Sequence, residues 1–223
     1  DGLGQCLDDL ADPARRRDCV EAFLPVLPVL GTMVRYCVVQ ANGDAPSHMT
    51  HCALKLYALF LILLSHCTPV LMAAYLARVP DSAGAYVAQI LELLAYSLTG
   101  GGLTQGSTGL HILECRVAAH VLALVTSFMN ALAPDDAAEF DEMTLHTFLV
   151  LAVVVVDRTS ELVAGLDESV TQRARHSALL LFDPRRAVLA CLCRTWGRAG
   201  GGIRRRYIGI LARGVIMLVV KSG

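Results

Sequence analysis

Charge is what this chain of 223 residues has least of. Asp, Glu, Lys and Arg make up 17% of it, against about 25% in soluble globular domains. So few charges do not cover an ordinary isolated exterior, so part of that surface is expected to lie against a partner or against lipid. No basic stretch followed by an apolar core opens the chain, and no signal peptide is therefore legible. It begins at Asp1 rather than Met, as a fragment or processed form would. Asn-x-Ser/Thr is absent, which disfavours a secreted glycoprotein. Eight cysteines (Cys6, Cys19, Cys37, Cys52, Cys67, Cys115, Cys191 and Cys193) lie scattered in mostly apolar, helix-like surroundings. A chain this long and this apolar can build a core without disulfide staples. The thiols read as reduced core residues, and the expected location is intracellular, in cytoplasm or nucleus.

Strand signals are missing too. No Asn-Gly turn stands between alternating apolar runs, and Ala41-Asn42-Gly43-Asp44 reads as a turn between helices. Val153 to Val156, four β-branched residues in a row, have no second strand candidate to pair with. No fixed repeat period recurs. Present instead are apolar residues at three- and four-residue spacing, punctuated by Asp12-Pro13, Pro46, Pro80, Pro134 and Asp183-Pro184. An aspartate before a proline is a helix start, because the carboxylate caps free N–H groups and proline at the first position has none to lose. The pattern predicts helices over 13–24, 28–41, 46–66, 69–78, 82–98, 108–132, 135–165, 168–181, 184–198 and 203–220. Pro25, Pro28 and Pro69 should break or kink longer rods. The expected fold class is all-α, a single irregular multi-helix bundle over 1–223 with a buried apolar central hairpin.

Leu56 to Ala77 runs between Lys55 and Arg78 with no formal charge. It is long enough to cross a bilayer, but Ser65, His66, Thr68 and Pro69 fall at its centre, where polar groups cost most. A buried hairpin is the preferred reading, with insertion of residues 56–78 as the alternative.

Motifs that carry chemistry are largely absent. Gly101 to Gly106 has P-loop spacing, but Ser107 stands where the phosphate-neutralising lysine belongs, and no buried strand precedes it. This glycine stretch reads as a connection between helices. His48, His51 and Cys52 share one helix face, and His66-Cys67 lies some four turns later. Imidazole and thiolate suit zinc, yet there is no Cys-x-x-Cys pair, and core packing is the commoner use of such residues. Gly-x-Ser-x-Gly is missing, and the paired aspartates at 8–9 and 135–136 stand at the chain start and at a helix cap, where a capping or solvated role is the default. No catalytic residue, cofactor or small-molecule substrate is inferred; a metal-binding protein or an enzyme whose site is hidden in the sequence stays as a further alternative.

What the chain does have is a split of sign. Residues 1–167 hold 8 Lys/Arg against 18 Asp/Glu, a net of −10, and residues 168–223 hold 11 against 2, a net of +9. The positive end is almost all arginine, whose planar fork binds carboxylate and phosphate through two hydrogen bonds at once. Either this end packs on its own acidic body, or it meets a protein partner, a nucleic acid or an anionic lipid. Arg204, Arg205, Arg206 and Tyr207, beside a run of glycines at 200–202, are the first candidates for partner contact. Arg185 and Arg186 come second.

Thr195-Trp196-Gly197-Arg198 resembles the Asn-Trp-Gly-Arg signature in the BH1 region of Bcl-2-family proteins. Those are all-helical, of about this length, with an apolar central hairpin and membrane-active members. The resemblance covers four residues and differs in the first. In the family the signature opens a long buried helix, whereas Ala199-Gly200-Gly201-Gly202 here would break one, and no BH3-like segment with its Gly-Asp pair is found. No family is assigned on it. The function expected from the residues is a non-enzymatic helical scaffold or assembly subunit, hetero- or homo-oligomeric, binding through apolar and arginine-rich surface.

Overall fold

A computed structural model describes residues 8–41, 47–79, 83–99, 108–131, 142–166 and 184–198, with positions 204, 205, 208, 209 and 212. Among these residues the chain is all-α, with eight helices and no strand. They are α1 (Pro13–Phe23), α2 (Leu27–Ala41), α3 (Ser47–His66), α4 (Pro69–Leu76), α5 (Ala83–Leu98), α6 (Thr108–Ala131), α7 (Glu142–Leu166) and α8 (Pro184–Arg198). Most ends fall within a residue of those read from punctuation. The valine run 153–156 is helical, inside α7. Expected helical residues 135–141 and 168–181 lie outside the described residues, as does most of 203–220.

Local chemistry accounts for the ends. Asp12 caps α1, its Oδ1 accepting from the Ala14 N–H at 2.9 Å. Pro25 and Pro28 do not stop the chain; they tighten it into one 3-10 turn, Leu24–Val26, joining α1 to α2. Pro28 has no N–H to offer the Leu24 carbonyl, one turn earlier. That oxygen accepts instead from the Leu27 N–H and, at 2.8 Å, from the Tyr86 hydroxyl of α5. A proline defect is thereby turned into a tie between helices. At Thr68 the hydroxyl caps α4 by accepting from the Leu71 N–H at 3.2 Å. There the apolar run 56–77 bends by 100°, so it forms a corner of two helices rather than one rod.

The buried side chains form one core. α3 contributes Tyr57, Phe60, Leu61, Leu63 and Leu64, α5 nine inward residues, and α6 and α7 the apolar runs between Cys115 and Val156. α5 packs on α7, α8 rests against α6 and α7, and α2 lies on α3 and α5. Gly31 allows α2 to approach α5 closely: a Cβ at this position would sit 3.0 Å from Leu93 Cδ2. Three of the buried hydroxyls are satisfied within their own helices: Thr126, Thr159 and Ser160 each donate to the carbonyl four residues back. The Leu56–Ala77 run, expected to be buried, is so only in part: its inward residues join the core, whereas Thr68, Pro69, Val70, Ala74 and Ala77 are exposed, Val70 at 73%.

Candidate functional site

The residues singled out from sequence fall in three places. On α8 the inward positions are Pro184, Val188, Cys191, Leu192 and Thr195, so Arg186 faces solvent and Arg185 is half-buried. Arg204 and Arg205 are exposed, and Arg204 Nε donates to the Trp196 carbonyl at 3.1 Å. Arg206 and Tyr207 lie outside the described residues. The ion pairs Arg15–Asp9, Arg35–Glu92, Arg78–Glu21 and Arg158–Glu161 lie within the acidic portion 1–167. The Thr-Trp-Gly-Arg stretch closes α8 rather than opening a helix, and Thr195 is buried.

His51 and Cys52 are exposed near the start of α3; the His48 side chain and the glycine stretch 101–106 lie outside the described residues. Among the described residues no three His, Cys, Asp or Glu side chains stand close enough to hold a metal. The second dipeptide, His66-Cys67, is part of the packing. His120 Nε2 lies 2.7 Å from the Cys67 carbonyl, and burial pushes the Cys67 thiol up to about 12. His66 is held below its ordinary value by burial, then by the neighbouring Arg16 and His120. A thiol this hard to ionise is a poor nucleophile and a poor ligand.

Two features escape a reading by motif. The first is interior. Glu114, on α6, has no exposed side-chain area. Its Oε1 accepts a short hydrogen bond from the Tyr57 hydroxyl of α3, and its Oε2 lies 3.5 Å from Nδ1 of His111, one turn earlier. Burial, and next the Glu114 charge, raise the Tyr57 pKa well above its ordinary value, so Tyr57 stays a donor. The cluster ties α3 to α6. A lone acid in the apolar stretch 109–134 is the sequence signal that points to it.

The second feature is on the surface. α2 and the 3-10 turn before it aim Leu24, Leu27, Gly31 and Val34 inward, leaving Val26, Val29, Met33 and Tyr36 outside at 43, 58, 51 and 62% exposure. Their spacings of three, four and three put all four on one stripe. α2 carries a single charge, Arg35, and that guanidinium is drawn aside: it pairs with Glu92 at 3.5 Å and lies 5.8 Å over the Tyr96 ring, both on α5. The result is an apolar strip with its only charge at the rim. A helix apolar on all sides is ordinarily covered on all sides. The signal is legible in 27–41, where apolar residues fill both faces.

No protein-family model, curated protein or solved structure matches this chain.

Proposed function

We propose that the protein is a non-enzymatic helical binding subunit that joins another macromolecule through the outward face of α2. The observation that carries this reading is the exposed stripe Val26, Val29, Met33 and Tyr36. Scattered single apolar residues are normal on protein surfaces, whereas contiguous ones mark interaction sites. Tyrosine and methionine are also among the residues enriched where proteins meet. The arginines Arg185, Arg186, Arg204 and Arg205 provide a second, positively charged contact region for an acidic protein, with anionic lipid or nucleic acid as other takers. Its centre is α8, which rests on α6 and α7 rather than on α2.

The test is fluorescence of an apolar dye with dilute protein, comparing wild type with V29E/M33E. Both side chains are more than half exposed, so helicity should be unchanged while dye binding falls by half or more. Equal dye binding by the folded variant would refute the reading. Replacing Arg204 and Arg205 with alanine should likewise leave the fold intact.

A second reading is membrane activity, for which 56–78 is the candidate by sequence. The helix pair that holds it, Thr50–His66 and Pro69–Leu76, is together long and apolar enough to cross a bilayer but bends by 100°; Pro13–Cys37 and Leu110–Phe128 are long and apolar enough singly, with 33% of the apolar window of the first buried. Flotation with neutral and anionic liposomes separates this from a subunit that stays in solution.

A further inference from the structure

We infer that the partner of the α2 face is a second copy of this chain, paired helix to helix about a two-fold axis. This rests on the α2 reading above and adds the identity of the occupant. Three observations converge on it.

The first is register. Val26, Val29, Met33 and Tyr36 repeat at the three-four-three spacing of a helix–helix seam, in which side chains of one helix fit between those of another. The second is the absence of selecting charge. In paired helices the residues flanking the seam carry the charges that choose one partner and repel others. Here those flanks are Pro25 and Thr32 on one side and Leu30 and Cys37 on the other. Nothing in these flanks repels an identical helix, and nothing in them selects a charged foreign one. The third is the rim. Arg35 and Glu92 stand there together as a pair, with side chains 39% and 42% exposed. A rim holding both signs is complementary to its own image, as an isologous contact requires.

Size sets the strength. Ten residues of helix span about 15 Å, and the four side chains expose roughly 400 Å², taking ~150–250 Å² for a large side chain. Stable interfaces bury about 800 Å² per partner. The seam provides about half of that, so the pairing is weak and concentration-dependent.

Sedimentation velocity and light scattering from about 1 to 200 µM, a range over which weak pairs associate, test the inference. For the wild type the mass should climb from one chain toward two. V29E/M33E should stay at one chain throughout, with unchanged circular dichroism. If the double variant loses helicity, Met33→Lys alone takes its place. A wild type that stays at one chain overturns the inference, and so does a dimer that the folded variant leaves intact. The dilute dye measurement keeps the two proposals apart. One-chain mass with dye binding lost in the variant defeats self-pairing and leaves the binding face standing; one-chain mass with equal dye binding defeats both.

Discussion

Replacing Tyr57 with phenylalanine removes one oxygen and should destabilise the protein well beyond the average exposed substitution. The hydroxyl is buried, and it donates across the bundle to Glu114, whose side chain has no exposed area. Phenylalanine fills nearly the same volume, so no cavity term enters; the cost is that of leaving a buried carboxyl oxygen short of its donor. Such losses run to about 1–3 kcal/mol. For a chain of this size 1 kcal/mol moves Tm by roughly 2–4 °C, so a shift near ~6 °C is expected. Urea unfolding followed by circular dichroism gives the free energy, with an unchanged m-value certifying that only stability moved. The companion variant is Glu114→Met, which removes the group that needs the donor. Once both polar partners are gone, the phenylalanine should cost little, so Y57F/E114M should be less destabilised than the two single changes summed, by about 1–2 kcal/mol. A Y57F protein within about 0.5 kcal/mol of wild type, the range of neutral surface changes, would refute the reasoning. So would strict additivity of the pair.

Three other outcomes are expected from the same packing. Exposed Cys52 and Cys193 should react first with a thiol reagent in the native protein, whereas Cys67 and Cys115, both pushed up to about 12 by burial, should react only on unfolding; peptide mass mapping reads the order. His66 is held below 6.5 mainly by burial, so the unfolded chain takes up its proton more readily than the folded one. Its contribution is present in full above pH 6.5 and declines as pH falls toward the folded value, and His66→Gln should flatten the fall of Tm with acid. Gly31→Val forces a branched side chain against Leu93 and should cost about 1–3 kcal/mol in urea unfolding. A variant as stable as wild type would mean that α2 and α5 are not in close contact.

Much of the architecture is legible in the sequence because helix formation and helix ends are local events. Asp12-Pro13 marks a start wherever it occurs, since the cap and the missing N–H act within one turn. Lack of a pairing partner likewise makes 153–156 a helix despite four valines. The site is less legible. The arginines stand out because charge is easily counted, yet a count carries no direction; only the packing of α8 on α6 and α7 turns Arg186 outward and leaves Arg185 half-buried. Residues 27–41 carry apolar side chains on both faces, which flags the helix but does not say which face stays outside. His66-Cys67 has the residue types of a ligand pair, and only the approach of His120 to the Cys67 carbonyl shows the dipeptide at work in packing.

What the amino-acid order determined by itself is the all-α character, the places where helices start and bend, and the separation of negative body from positive end. All of these depend on interactions within a turn or two of chain, or on sums of charge. Which faces of those helices are covered was decided only when they packed. α2 has apolar residues all round, and its periodicity treats the two sides alike; α3 and α5 cover one side, and Val26, Val29, Met33 and Tyr36 are left on the other. Glu114 stands out as the one acid of an apolar stretch, but the partner that meets it in the interior, Tyr57, is fifty-seven residues away. Burial is a property of neighbours distant in sequence, so tertiary structure alone could assign it.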